Sequence, residues 1–232
     1  MAANRYRLVI GNKNWSSWSL RPWLAMRRLG LPFEEINVQL RQAESKAAIL
    51  KYSPSGLVPL LLEGDLAIWD SLAILEYLAE QHPDKHLWPA DRQPRALARS
   101  VSAEMHSGFA ALRQACAMQI LADNPLEPVP ETVETDIRRI ITLWRECRSR
   151  FGTGGPFLFG EFSAADAMYA PAASRFRTYI PDLGRYGDDG SATGYVTTIF
   201  AMPEVAAWIE GAREQVAAQA YAATDLNVGY QG

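Results

Sequence analysis

The feature that most constrains this chain is a change in hydrophobic period. Short apolar runs alternate with helical patterns up to His82, and after Pro94 only helical patterns remain. Tyr6 to Ile10 is a short apolar run closed by Gly11-Asn12-Lys13-Asn14, which reads as a buried strand. Leu20, Trp23, Leu24, Met26 and Leu29 then recur at helical spacing, with Gly30 where a C-terminal cap belongs. Phe33 to Val38 reads as a second strand, and strand-helix-strand order makes it parallel to the first through a right-handed crossover. Ala43 to Tyr52 has room for a short helix. Pro59–Leu62 and Leu66–Trp69 flank Glu63-Gly64-Asp65, a hairpin turn, and Ser71 to His82 reads as a helix ended by His82-Pro83. The order β-α-β-α-β-β-α thus fills the first unit.

Pro83 to Pro94 carries three prolines and no period, which suits a linker. Helical patterns follow at Pro94–Ala122, Glu131–Phe151, Ser163–Tyr179 and Pro203–Tyr221. The expected class is α/β plus all-α: a domain over residues 1–83, a linker over 84–93 and an all-helical domain over 94–232. The formal charge of -3 over 232 residues leaves no uniformly basic surface for nucleic acid, and no apolar run approaches the roughly 20 residues that span a bilayer. Cys116 and Cys147 lack C-x-x-C or Cys/His spacing, so they read as free thiols and no metal is expected. MAANRYRLVI runs straight into a strand pattern rather than a signal-peptide core, and the expected location is the cytoplasm.

Four places carry candidate chemistry. In NWSSWSLRPWLAM, Pro22 fits within the first turn of a helix, where backbone N–H groups have no intrahelical acceptor. That places the N-cap between Ser19 and Arg21, with Ser19 the best capping residue, and leaves Ser16 and Ser17 in the loop facing the helix end. A hydroxyl there can donate to an anion favoured by the helix N-terminus, or all three serines are turn and cap residues. Val58-Pro59 enters an internal strand with no N–H for the ladder, so the position is either an edge or a place where the backbone serves something else, and a cis bond there would turn the Val58 backbone groups outward. Asp70-Ser71 either caps the third helix or grips the two charges of an α-amino acid. His106 lies on a long helix, where it reads as exposed or interfacial, and Ser163-Ala-Ala-Asp166 has the form of a structural capping box.

In this order and spacing, the Ser-x-x-Ser loop, Val58-Pro59, DSLAILEYL from Asp70, the linker and FSAAD at Phe162–Asp166 make the chain resemble a cytosolic glutathione S-transferase over nearly its full length. The resemblance implies a thioredoxin-like domain followed by a helical one, usually a homodimer, in a bacterial, detoxifying enzyme that uses glutathione as co-substrate and no metal. It implies a cis Val58-Pro59 bond, pairing of the Val58 backbone with the cysteinyl part of glutathione, and binding of the γ-glutamyl end by Asp70 and Ser71. SSWSLR is similar to the S-S-C-S-W-R pattern of the zeta class, which makes Ser16 the expected catalytic hydroxyl and Ser17 the reserve. SAEMHSGF resembles the beta class, whose active-site cysteine is absent here. Leu57 stands where many relatives have Gln or Lys, so Lys46 or Arg41 is expected to hold the glycyl carboxylate. Trp15, Trp18 and His106 are candidates for the substrate wall.

A free thiol of pKa about 8.5 is only about 3% ionised at pH 7. Lowering that pKa by two units needs about 2.7 kcal/mol of preference for the thiolate. A hydrogen bond to a charged group, worth about 1.5 to 3 kcal/mol, and a helix-dipole contribution of about 0.3 to 1 kcal/mol can supply it. The expected reaction is transfer of the thiolate to a small apolar electrophile. The alternatives are cis-trans isomerisation of the maleylacetoacetate type and a non-catalytic binding module.

Overall fold

The computed structural model describes residues 5–218. Strands β1 (Tyr6–Gly11), β2 (Phe33–Val38), β3 (Leu60–Glu63) and β4 (Leu66–Trp69) form one sheet in the order β2-β1-β3-β4. β1 and β2 run parallel, with Tyr6 opposite Phe33 and Gly11 opposite Val38. β3 is antiparallel to both β1 and β4. The parallel pair and the hairpin expected from the element order are both present.

Leu8, Val9 and Ile10 of β1 are all fully buried. Leu8 and Ile10 share a core with Leu24 of α1 (Ser17–Arg28) and with Ile74 and Leu78 of α3 (Ser71–Gln81). Val9 packs on the other face with Ile49 of α2 (Ser45–Leu50). Cover on both faces explains why this strand is continuously apolar rather than alternating. Each such side chain contributes about 1.5 to 3 kcal/mol by leaving water.

The second unit comprises α4 (Arg92–Ser107), α5 (Ala110–Ala115), α6 (Glu131–Phe151), α7 (Ala164–Tyr179), α8 (Ser191–Phe200) and α9 (Pro203–Ala217). Every residue of α7 except Arg177 is buried, so this helix is the axis of the domain. Trp144 of α6 meets the rings of Tyr169, Phe176 and Tyr195 around it. The motif at the start of α7 is structural, as expected: the Asp166 carboxylate takes the N–H groups of Ser163 and Leu158 and the Tyr195 hydroxyl. The two units meet where α1 packs on α7 and α9.

Three elements differ from expectation. The pattern at 94–122 is two helices, because Gly108 and Phe109 break it and Phe109 adopts the left-handed conformation with φ of 57°. α8 was not anticipated, since Thr193, Gly194, Val196, Thr197 and Thr198 are weak helix formers that tertiary packing overrides. α9 ends at Ala217, and Tyr221 lies outside the described residues.

Candidate active site

α1 begins earlier than Pro22 seemed to allow. The Ser16 carbonyl accepts the Leu20 N–H at 3.1 Å, and the Ser16 Oγ accepts the Ser19 N–H at 3.4 Å, so Ser16 is the N-cap in place of Ser19. Pro22 is consequently the sixth residue of the helix and has no N–H to offer the Trp18 carbonyl. The helix tolerates this loss because Leu20, Trp23, Leu24, Ala25 and Met26 are all buried around it. Ser19 faces β1 instead, its Oγ accepting from the Gly11 N–H at 3.1 Å and from the Ser16 hydroxyl at 2.7 Å.

These bonds separate Ser16 from Ser17. The single Ser16 proton is committed to Ser19. Ser17, at the first helical position, accepts from Arg175 Nη2 at 3.4 Å, and among the described residues no acceptor takes its proton. Arg175 is 4% exposed and anchored by the Cys116 carbonyl at 2.9 Å and the Pro171 carbonyl at 3.1 Å. The serine loop is further clamped by the helical unit. The Asn14 carbonyl and Oδ1 accept from Ile120 and Leu121, the Lys13 carbonyl accepts from Trp208 Nε1, and Lys13 N donates to Gln215.

Across from this loop, Val58-Pro59 is cis and leads into β3. Asp70 has φ of 78° and ψ of 134°, and its Oδ1 caps α3 by accepting from Leu72 N at 2.9 Å and Ala73 N at 3.2 Å. Its Oδ2 faces His106 Nε2 of α4 at 3.2 Å. Ser71 is fully buried and its Oγ accepts from Arg21 Nη1 at 3.2 Å. Arg21 is 1% exposed, its guanidinium lies 4.1 Å from the centre of the Trp18 ring, and its Nε has no hydrogen-bond partner among the described residues. Burial, followed by the like charges of Arg175 and Arg113, pulls the Arg21 pKa down to about 9, so it stays charged at neutral pH. Arg113 of α5 covers the same Trp18 ring at 5.6 Å.

Trp18, Asp70, Ser71 and His106 are linked where α1 and α3 begin, His106 touching Trp18 and Asp70 and Arg21 touching Trp18 and Ser71, while Ser16 and Ser17 directly precede Trp18 at the start of α1. Trp15 is buried under the Arg41 guanidinium, 4.6 Å from its ring centre. Lys46 is exposed on α2, its stem close to Gly56, and among the described residues it makes no hydrogen bond or ion pair to the serine–aspartate cluster. Arg21, Arg113 and Arg175 were missed from sequence, where basic residues on helices read as solvated. The available signal was Arg175, flanked by Ser174 and Phe176, in a helix rich in alanine and aromatic residues.

The site has no thiol nucleophile. Cys116 and Cys147 are fully buried, and burial raises them to about 11 and about 12. Among the described residues no group of three or more His, Cys, Asp or Glu is placed to hold a metal, and no helix is long and apolar enough to cross a membrane.

A parallel β-α-β unit joined to a β-hairpin and helix, with a buried helical domain packed on the first helix, defines a thioredoxin-like fold with a C-terminal helical domain. Residues 15–81 match the family model for the glutathione S-transferase N-terminal domain, and residues 130–211 match that for its C-terminal domain. The chain belongs to the glutathione S-transferase family of enzymes. It is 36% identical over 174 residues to a probable maleylacetoacetate isomerase of Caenorhabditis elegans, covering 73% of this chain and 78% of that protein. It is 28% identical over 179 residues to a zeta-class glutathione S-transferase of Euphorbia esula, covering 75% and 79% of the two chains. Among solved structures, glutathione transferase URE2P5 of Phanerochaete chrysosporium superposes with a TM-score of 0.71 at 22% identity, covering 95% of this chain and all of that one. A glutathione transferase homologue from Burkholderia with bound glutathione superposes with a TM-score of 0.67 at 23% identity, covering 90% of this chain and 98% of that one.

Proposed function

We propose that the protein binds glutathione between its domains and that the Ser17 hydroxyl donates to the glutathione thiolate, which attacks a small electrophile. The observation that carries this reading is the uncommitted Ser17 proton at the first position of α1, held from behind by Arg175. Ser16, whose proton goes to Ser19, caps the helix and shapes the loop. Asp70 takes the α-ammonium of the γ-glutamyl end, Ser71 its carboxylate, and the Val58 backbone the cysteinyl unit. Lys46 is the cation assigned to the glycyl carboxylate. Trp15 and Trp18 wall the electrophile. The reading divides the chain into a glutathione-binding domain over 1–83, a linker over 84–93 and a helical domain over 94–232, and it extends to a cytoplasmic homodimer.

Conjugation is tested with glutathione and a chloronitroarene, together with thermal unfolding in the presence of glutathione. Turnover and a raised Tm support it; absence of both removes it. Isomerisation of an acidic cis-enediol is a second reading. It is favoured by the three guanidiniums of Arg21, Arg113 and Arg175 around the site and by the isomerase names of several relatives. Turnover of a cis-enediol diacid without net loss of glutathione distinguishes it from conjugation.

A further inference from the structure

Arg21 is a buried charge that no acid of the chain neutralises by contact. It reaches from α1 to the start of α3, is 1% exposed, and donates from Nη1 to the Ser71 Oγ at 3.2 Å. Among the described residues no carboxylate forms an ion pair with it, and nothing accepts from its Nε. Asp70 beside Ser71 turns its oxygens elsewhere, Oδ1 to the α3 N-terminus and Oδ2 to His106. The Trp18 ring at 4.1 Å offers Arg21 only its face, and burial and the like charges of Arg175 and Arg113 all work against the guanidinium. A charge taken out of water at this cost calls for an anion to meet it.

Ser71 connects that charge to the ligand site. A guanidinium only donates, so the Ser71 oxygen is the acceptor and its own proton points away from Arg21. Among the described residues no acceptor takes this proton. The same device stands behind Ser17, whose oxygen accepts from Arg175. We infer that Arg21 is a positioning residue whose charge, relayed through the Ser71 hydroxyl, makes the site select a γ-glutamyl group that carries its α-carboxylate. The inference rests on the proposed binding of that carboxylate by Ser71. Each end of the ligand zwitterion then meets one opposite charge: Asp70 faces the ammonium directly, and Arg21 acts on the carboxylate at one remove. Because Arg21 is buried beneath Ser71, it sets affinity and selectivity without touching the ligand.

The test compares two ligands by calorimetry at one neutral pH. One is S-methylglutathione, whose capped sulfur removes thiol ionisation from the readout. The other is its analogue with a 4-aminobutyryl group in place of the γ-glutamyl group, which lacks only the α-carboxylate. The wild type is expected to bind S-methylglutathione about tenfold or more tightly than the analogue, the scale of one hydrogen bond to a charged group. Arg21→Gln, which keeps an amide near Ser71 without the charge, should cut that ratio to about threefold or less by raising the Kd of S-methylglutathione alone. Arg21→Met should do the same, and thermal unfolding shows which variants fold. Ser71→Ala, which leaves Arg21 in place and breaks the relay, should also collapse the ratio. A wild-type ratio below about fivefold overturns the inference. So does a ratio retained in a folded Arg21 variant or in Ser71→Ala, or an equal rise in both Kd values, which is what a merely structural arginine gives. If the wild type fails to bind S-methylglutathione at all, the glutathione reading itself fails; binding without the carboxylate preference removes only the role of Arg21.

Discussion

Replacing Ser17 by Ala removes the one hydroxyl at the start of α1 with an uncommitted proton. A hydrogen bond to a charged acceptor contributes about 1.5 to 3 kcal/mol, which converts to a rise of about 1.1 to 2.2 units in the pKa of the bound thiol. If the wild-type site holds that thiol near 6.5, the thiolate fraction at pH 7 falls about 4-fold to 40-fold, and kcat falls with it. The loss should shrink as pH approaches 9, where both forms ionise, and KM for glutathione should stay within about twofold because Asp70 and Ser71 are untouched. Ser16→Ala should act on the helix instead. Loss of an N-cap costs about 0.5 to 2 kcal/mol, and in a chain of this size each kcal/mol lowers Tm by about 2 to 4 °C. The assay pairs steady-state kinetics across pH 6 to 9 with thermal unfolding of both variants. If Ser17→Ala retains wild-type kcat at pH 7 while Ser16→Ala loses turnover at unchanged Tm, the assignment of the two hydroxyls is wrong.

Further outcomes follow from the same contacts. Asp70→Asn keeps the α3 cap and a residue type that accepts positive φ, so Tm should change little, while loss of the charge raises KM for glutathione about 10-fold to 100-fold, read from initial rates. Arg175→Lys cannot reproduce the bonds to Cys116, Pro171 and Ser17 together; it should cost about 1 to 3 kcal/mol in thermal unfolding and lower kcat more than it raises KM. Cys116 and Cys147, both fully buried and with pKa values raised to about 11 and about 12, should be silent to an aromatic disulfide at pH 8 in the native protein. Both should react after denaturation, and rapid labelling of the native protein would contradict their placement.

The sheet was legible in the sequence because β1 is apolar at every position from Leu8 to Ile10 and the hairpin turn sits between two apolar runs. The start of α1 was not. The steric rule for proline pointed to Ser19, but the packing of Trp23, Leu24 and Met26 outweighs the one bond that Pro22 cannot make. Moving the helix start by one turn reassigned the cap from Ser19 to Ser16, and the proposal of Ser17 as the donor to the thiolate rests on that shift. Asp70, Ser71 and His106 were all picked out, although the contact between Asp70 and His106 depends on two domains meeting and has no local signature. Arg21 and Arg175 were hidden for the same reason: a buried guanidinium is rare, and its partners here lie 50 residues away at Ser71 and 158 away at Ser17.

The proposal that Ser17 holds the glutathione sulfur while Asp70 holds its ammonium meets its sharpest test in a crystal structure of the protein with glutathione. The sulfur is expected within hydrogen-bonding distance of the Ser17 Oγ, with Ser16 still bonded to Ser19 and the ammonium on Asp70 Oδ2. A sulfur nearest the Ser16 Oγ, or a tripeptide bound away from Asp70 and Ser71, would contradict it.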